Sequence, residues 1–302
     1  MRITNKYDLP PVFEEFEKAV PYDPGKSDFT VTQLIDSPRV VQLRRSHSTE
    51  LEEDISQRIF AILGNTLHHL LETAAKRIGA VSEERIFTQV NDALVVSGAI
   101  DLQEPIEGGV RISDYKMTSM MTLIFNPDGK PEWENQLNLY AELVEREKLQ
   151  QVKELEVIAV LRDWSASAVE RNENAPKLPV VRLRIPLWDK EKRSTYLQDQ
   201  VDRHLAASET RDEYLSSLVE CSSEEMWERP AKYAFHRLTK AGNPSKIATR
   251  VFDNQMEADI FAAENEGNVN VRPGVRTRCE GDYCKVSRWC DQYIEWRTHN
   301  EK

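Results

Sequence analysis

The chain has 302 residues, 40% hydrophobic and 30% charged, with 11 glycines and 14 prolines, which excludes a mini-protein, a collagen-like repeat and a disordered chain. Its 51 acidic and 40 basic residues leave a net charge of −11, so nucleic acid cannot be held by overall charge and any phosphate contact must come from local basic patches or a bound cation. No apolar run approaches the roughly 20 residues of a membrane span, and the amino-terminal MRITNKYDLPP has Asp8 and two prolines where an export signal would be apolar, so a cytoplasmic protein is expected.

Residues 1–50 mix proline, acid and base irregularly and end in a basic segment, SPRVVQLRRSH, which carries Arg44 and Arg45; they are expected to form an arm or small subdomain. Leu51, Ile55, Ile59, Leu63, Leu67, Leu70, Ala74 and Ile78 then recur at three- and four-residue steps, predicting an amphipathic helix from Leu51 to Ile78. Gly64 falls inside it and costs about 1 kcal/mol relative to Ala, which suggests a close backbone approach or a break. Three strands follow, Arg85–Val90, Ala93–Leu102 and Val110–Met117, the last two joined by the turn EPIEGG. A helix over Trp133–Leu149, strands in ELEVIAVLRDW and PVVRLRIPL, and a helix from Asp189 to Ala206 complete an α-β-β-β-α-β series with one more strand and helix. The expected division is an arm (1–50), an α/β core (51–210) and a cysteine-containing C-terminal region (211–302). In that last region a hairpin is expected from Lys232 to Phe252, with five basic residues, Lys240 and Lys246 among them, and no acid.

The chemistry gathers on the second and third strands. Asp114 and Lys116 are two apart, so period 2 sends them to one face. A hairpin centred in EPIEGG brings Asp101 close to opposite Asp114, and two facing carboxylates are unfavourable unless one is protonated or a cation lies between them. Mg²⁺ or Mn²⁺ suits such oxygen ligands and can clamp a phosphate while activating water, with Lys116 as a neighbouring point charge. Gly64, His68 and Glu72 share a helix face by their four-residue spacing, and the imidazole is a candidate third ligand. Gln136 and Tyr140, also four apart, are candidates to position Lys116 or a DNA backbone. Taken singly, each of these residues has an ordinary structural reading: an edge strand, turn chemistry, a hydrogen-bonded core histidine, a half-buried aromatic.

Taken together, GNTLHHLLE (Gly64, His68), SGAIDL (Asp101), ISDYKMTS (Asp114, Lys116) and QLNLY (Gln136, Tyr140) stand in the motif order of the PD-(D/E)XK nuclease superfamily, which the chain resembles, and within it the RecB-like exonucleases that include CRISPR-associated and phage-encoded members. TNKYDLP and LRDW look like the phage-encoded branch. The resemblance implies a restriction-endonuclease-like αβββαβ core and a metal held by His68, Asp101 and Asp114, with the Tyr115 carbonyl as a further ligand. It implies Lys116 as the catalytic lysine with Gln136 and Tyr140 in support. The function implied is a metal-dependent DNA exonuclease of phage recombination or end processing, with DNA guided by Arg44, Arg45, Lys232, Lys240 and Lys246 and a single-strand annealing protein as a possible partner. The third-motif acid is Asp114 rather than the Glu common elsewhere.

Cys279, Cys284 and Cys290 are spaced C-x4-C-x5-C, with Cys221 well upstream. Thiols in a reducing compartment suit a metal better than disulfides, and four of them suit a [4Fe-4S] cluster or Zn²⁺. Several RecB-like relatives carry one distant cysteine and a C-terminal trio around an iron-sulfur cluster; the last spacing here matches, while the preceding spacing and the place of the distant cysteine differ. Two other function classes stay open at this point: a catalytically inactive DNA-binding or assembly protein on the same fold, and a redox or regulatory iron-sulfur or zinc protein.

Overall fold

In this computed structural model, which describes residues 2–19, 25–91, 94–210 and 212–300, the elements that bear on function are, in chain order, α1 (Pro38–Ser46), α2 (Ile59–Arg77), β1 (Val81–Asn91), β2 (Leu94–Ile106), β3 (Gly109–Thr118), α3 (Pro131–Lys148), β4 (Val152–Leu161), β5 (Val180–Ile185), α4 (Lys190–Ser208), β6 (Lys232–Arg237), β7 (Arg250–Phe252), α5 (Gln255–Glu264) and β8 (Gly267–Arg272). Contacts divide the chain into one unit of residues 1–36 and 48–209 and a second of 37–47 and 210–302, so the expected 1–50 segment is shared between them.

The first unit is built on a mixed sheet. β2 pairs antiparallel with β1 and β3, β3 runs parallel to β4, and β5 closes the far edge antiparallel to β4. The α2-β1-β2-β3-α3-β4 order is the expected αβββαβ core. The predicted hairpin between β2 and β3 is present with Ile106 opposite Gly109, and Gly108 takes the positive φ of 79° that so tight a turn demands. Val96, Ile100, Ile112, Val157 and Ala159 point from one sheet face into a core shared with Leu137, Leu139 and Leu143 of α3 and Leu197 and Val201 of α4. Each such large apolar side chain contributes roughly 1.5–3 kcal/mol by leaving water. Helix α3 opens on Pro131, places Glu132 and Glu134 in its first turn and Arg146 and Lys148 in its last, complementing its dipole at both ends.

Two expectations are corrected. The first predicted helix begins at Ile59, not Leu51: Glu52–Asp54 is a short strand parallel to Arg2–Thr4, and Ile55–Arg58 is a 3-10 turn. Leu51 and Ile55 match the helical spacing by chance, because pairing with a segment nearly fifty residues away overrides local periodicity. At Gly64 the helix neither breaks nor meets another backbone; a Cβ there would have nothing within 4 Å. Ala93, the expected first residue of the second strand, lies outside the described residues.

In the second unit, β6 pairs antiparallel with β7, as the predicted hairpin requires, and on its other edge with β8, which was not foreseen. Phe235, Phe252 and Ala258 form a small core with Tyr233, Phe261 and Val269. Arg39 of α1 is almost fully buried within this unit, where its guanidinium pairs with Asp291 at 2.5 Å and donates to the carbonyls of Leu218 and Val219.

Candidate active site

The sheet of the first unit forks at Asp101. β2 and β3 are paired from Ile106/Gly109 up to Leu102/Ser113 and no further, and the edge of β2 beyond the fork is taken by the short strand Phe29–Thr30, paired to Val96 and Ser97. Inward and outward alternation also breaks there: Ile100 belongs to the main core, while Leu102, two residues on, packs with Ala75 and Tyr115 in a second core under α2. Asp101 therefore sits one step past the last ladder pair, opposite Asp114 in register, as expected. Its Oδ2 accepts the Tyr115 backbone N–H at 2.7 Å.

His68, from α2, brings Nδ1 to 3.5 Å from Asp101 Oδ1 and 3.1 Å from Glu83 Oε1. The donor atoms of His68, Glu83 and Asp101 lie within 4.8 Å of one another, a group able to hold a metal ion. Glu83 escaped the sequence reading because the expected strand started at Arg85. It lies between Ser82, opposite Leu102, and Glu84, opposite Ile100, which faces it toward Asp101. Its φ of 51° is a left-handed backbone that costs a non-glycine residue about 1 kcal/mol or more. The pair of acids at 83–84, just ahead of a strand partnering the Asp101 strand, was the available signal. Glu72, which the four-residue spacing grouped with His68, pairs instead with Lys76.

Asp114 and Lys116 point from β3 toward α3. The Lys116 ammonium is 2.7 Å from Asp114 Oδ2 and donates to Gln136 Oε1 at 2.9 Å. Gln136 Nε2 in turn donates to Tyr140 Oη at 2.8 Å. Both α3 residues are buried, at 8% and 4% exposure. Gly98 of β2 seats the Tyr140 ring: a Cβ there would lie 2.7 Å from Tyr140 Cε1. A line of hydrogen bonds thus runs from the ring seat to the lysine.

Charge is concentrated and poorly compensated. Burial pushes the Asp114 carboxyl up to about 6, opposed by Lys116 and assisted by the nearby Asp101. Its Oδ2 is shut from solvent and meets the Lys116 ammonium at 2.7 Å. At His68 burial works against the proton, yet the hydrogen bonds and charges of Asp101 and Glu83 prevail and raise the imidazole to about 10. A clustered excess of carboxylate that draws protons onto itself offers the same oxygens to a cation. Imidazole and hard carboxylate oxygens are a donor set that Mg²⁺ or Mn²⁺ accepts.

The four cysteines converge in the second unit, where Cys221, Cys279, Cys284 and Cys290 line one small enclosed void together with Arg39 and Arg278. Gln292 holds the Cys221 backbone on both sides, accepting its N–H and donating to its carbonyl, each at 2.9 Å, and Ser37 Oγ is 3.1 Å from its sulfur. Burial pushes the Cys221 thiol up to about 11 and the Cys279 thiol up to about 12. Arg44 and Arg45 end α1 with exposed side chains, Lys240 and Lys246 are exposed, and Lys232 is paired with Asp253.

Residues 13–291 match the model of the PD-(D/E)XK nuclease superfamily. No curated protein matches the sequence. Of solved structures, SSO0001 is similar at 19% identity and a TM-score of 0.41, over 63% of this chain and 82% of its own. The alkaline exonuclease LHK-Exo of Laribacter hongkongensis is similar at 14% identity and a TM-score of 0.39, over 67% of this chain and 95% of its own.

Proposed function

This chain belongs to the PD-(D/E)XK nuclease superfamily, and from that membership we propose that it is a divalent-metal-dependent DNA exonuclease of the RecB-like, phage-encoded kind, acting in recombination or end processing. The observation that carries the reading is the Lys116 ammonium, held between Asp114 and Gln136 on the strand neighbouring Asp101 and the His68–Glu83–Asp101 donor group. His68, Glu83 and Asp101, with Asp114 and the Tyr115 carbonyl, would hold Mg²⁺ or Mn²⁺, which supplies Lewis-acid polarisation of a phosphate oxygen and acidifies water. Lys116 offers a fixed positive charge to the phosphodiester as negative charge gathers on it, and Gln136 and Tyr140 keep the ammonium from swinging away. Asp101, by accepting the Tyr115 N–H, ties the two forked strands together.

The test is digestion of end-labelled linear DNA and closed circular DNA with Mg²⁺ or Mn²⁺, by the parent protein and by Lys116→Ala. Degradation of the linear form alone, lost in Lys116→Ala, is expected. Equal degradation by both proteins overturns the catalytic assignment, and attack on the closed circle overturns the exonuclease one. An inactive DNA-binding scaffold would instead show no digestion at all.

The thiols are read as ligands of a [4Fe-4S] cluster. They surround one void and stay protonated without a metal, and Arg39 and Arg278 beside them can balance thiolate charge. A brown anaerobic preparation with iron and labile sulfide supports this; a colourless protein with stoichiometric zinc overturns it. The protein is placed in the cytoplasm, the host's if phage-encoded, with DNA as substrate and a single-strand annealing protein as partner; among the described residues no helix is long and apolar enough to cross a membrane.

A further inference from the structure

Two stretches of the second unit break the acidic character of the chain. Residues 229–252 hold six lysines and arginines and no carboxylate, and residues 267–279 hold three arginines and none, in a chain whose net charge is −11. Distant in sequence, they are laid side by side by β6 and β8, which pair antiparallel from Lys232/Arg272 to Arg237/Gly267.

The period of 2 sorts this small sheet into two faces. Tyr233, Phe235, Phe252 and Val269 turn toward α5 and make the core with Ala258 and Phe261. That leaves Lys232, Ala234, His236, Val251, Asn268, Asn270 and Arg272 to the opposite face, where Ala234 and His236 of the middle strand are buried and the flanking strands carry the exposed side chains. Asn268, Asn270 and Arg272 are exposed, as are Lys240 and Lys246 in the loop that continues β6. None of these five side chains makes a hydrogen bond or ion pair among the described residues. The loop is nonetheless ordered by its own bonds: Thr239 N–H donates to the Asn243 carbonyl at 2.8 Å, Ser245 N–H to the Arg237 carbonyl at 2.9 Å, and the Ser245 carbonyl meets His236 Nδ1 at 2.7 Å. In sequence, carboxylates flank these strands at Asp253, which is engaged by Lys232, and at Glu266, which precedes β8.

We propose that this sheet face is a docking surface for single-stranded nucleic acid, in addition to the Lys116 site. Arg272, Lys240 and Lys246 take phosphates, and the amides of Asn268 and Asn270 take base edges. Three physical points select this occupant. Unneutralised cations on a strongly acidic protein attract a polyanion and little else. Same-face residues along a strand are about 6.7 Å apart, near the step of an extended nucleotide chain. An amide offers a donor and an acceptor together, which matches base edges that only an unpaired strand leaves bare, while the face presents no helix to enter a duplex groove.

The experiment uses the full chain carrying Lys116→Ala, so that DNA survives without a chelator, and follows the fluorescence anisotropy of a labelled mixed-sequence oligonucleotide of about 20 nucleotides across a salt series. Replacing Arg272, Lys240 and Lys246 by Ala is expected to weaken binding at least tenfold at about 0.1 M salt and to flatten the slope of log affinity against log salt by about 2, from roughly 0.7 per phosphate contact on a single strand. Replacing Asn268 and Asn270 by Ala is expected to weaken binding severalfold with the slope unchanged. All five positions are exposed; unchanged circular dichroism verifies folding, and the single charge reversal Arg272→Glu repeats the test with one substitution. Affinity and slope equal to the parent overturn the surface, and equal losses on duplex and single strand overturn the single-strand assignment. A gel of the same samples reads the nuclease assignment separately: intact oligonucleotide supports it, whereas digestion by the Lys116→Ala protein overturns it and leaves the binding comparison standing.

Discussion

Gly98→Ala tests whether the buried line from Gly98 through Tyr140 and Gln136 governs Lys116. The new Cβ would stand 2.7 and 2.9 Å from Tyr140 Cε1 and Cδ1 and 3.2 Å from Val31 Cγ2. Relieving the shortest contact to an ordinary 3.4 Å moves the ring by about 0.7 Å, and in a close-packed core such overpacking costs about 1–3 kcal/mol. The same shift would stretch the 2.8 Å bond from Gln136 Nε2 to Tyr140 Oη to roughly 3.5 Å, where little hydrogen bond remains. Gln136, released, no longer fixes the ammonium, and misplacement of a reacting group on the ångström scale costs up to about a hundredfold in rate. Urea melts give the stability change and single-turnover cleavage of end-labelled DNA the rate. Tyr140→Phe, which keeps the ring and removes the hydroxyl, should cost only about 1 kcal/mol and lose a similar fraction of the rate. In the double variant the rate losses should overlap and the stability losses add. Parent-like rate in Gly98→Ala despite a destabilisation of about 1–3 kcal/mol would refute the coupling.

Glu83→Gln should weaken Mn²⁺ binding by about 10- to 100-fold in calorimetric titration, and Asp101→Asn by more, because Asp101 also ties the forked strands; unchanged affinity in Glu83→Gln would remove that residue from the site. Gly64→Ala should raise stability by about 0.5–1 kcal/mol in a urea melt, since open space surrounds the new methyl; a loss of stability would show a contact at that position. Stability of the metal-free protein should fall as pH rises from about 8 toward 11: above the ordinary thiol range the unfolded chain sheds protons that Cys221 and Cys279 retain until about 11 and about 12. Metal-loaded protein, its thiolates already formed, should lack this fall, and identical pH profiles would argue against thiol ligation.

Local periodicity made the α-β-β-β-α-β order readable, and the two-residue steps from Asp114 to Lys116 and the four-residue step from Gln136 to Tyr140 placed those side chains correctly, since each relation lies within one strand or one turn of helix. What escaped depends on partners far along the chain. Glu52–Asp54 reads as helix until Arg2–Thr4 pairs with it. Pro38–Ser46 reads as part of an arm, yet Arg39 is buried against carbonyls of residues 218 and 219. The fork at Asp101 has no local signature either: Phe29–Thr30 takes the β2 edge that β3 has left, and that exchange is what frees the Tyr115 N–H for the aspartate. Glu83 is hidden for the same reason, because a left-handed residue inside a strand is tolerated only where His68 and the Asp101 strand hold it. Hence Asp101, Asp114 and Lys116 can be found by spacing, while the meeting of Asp101 with His68 and Glu83 is a property of the sheet's divergence. Substitutions at Phe29 or Thr30, which pair with β2 at Val96 and Ser97, therefore belong among those that alter the site.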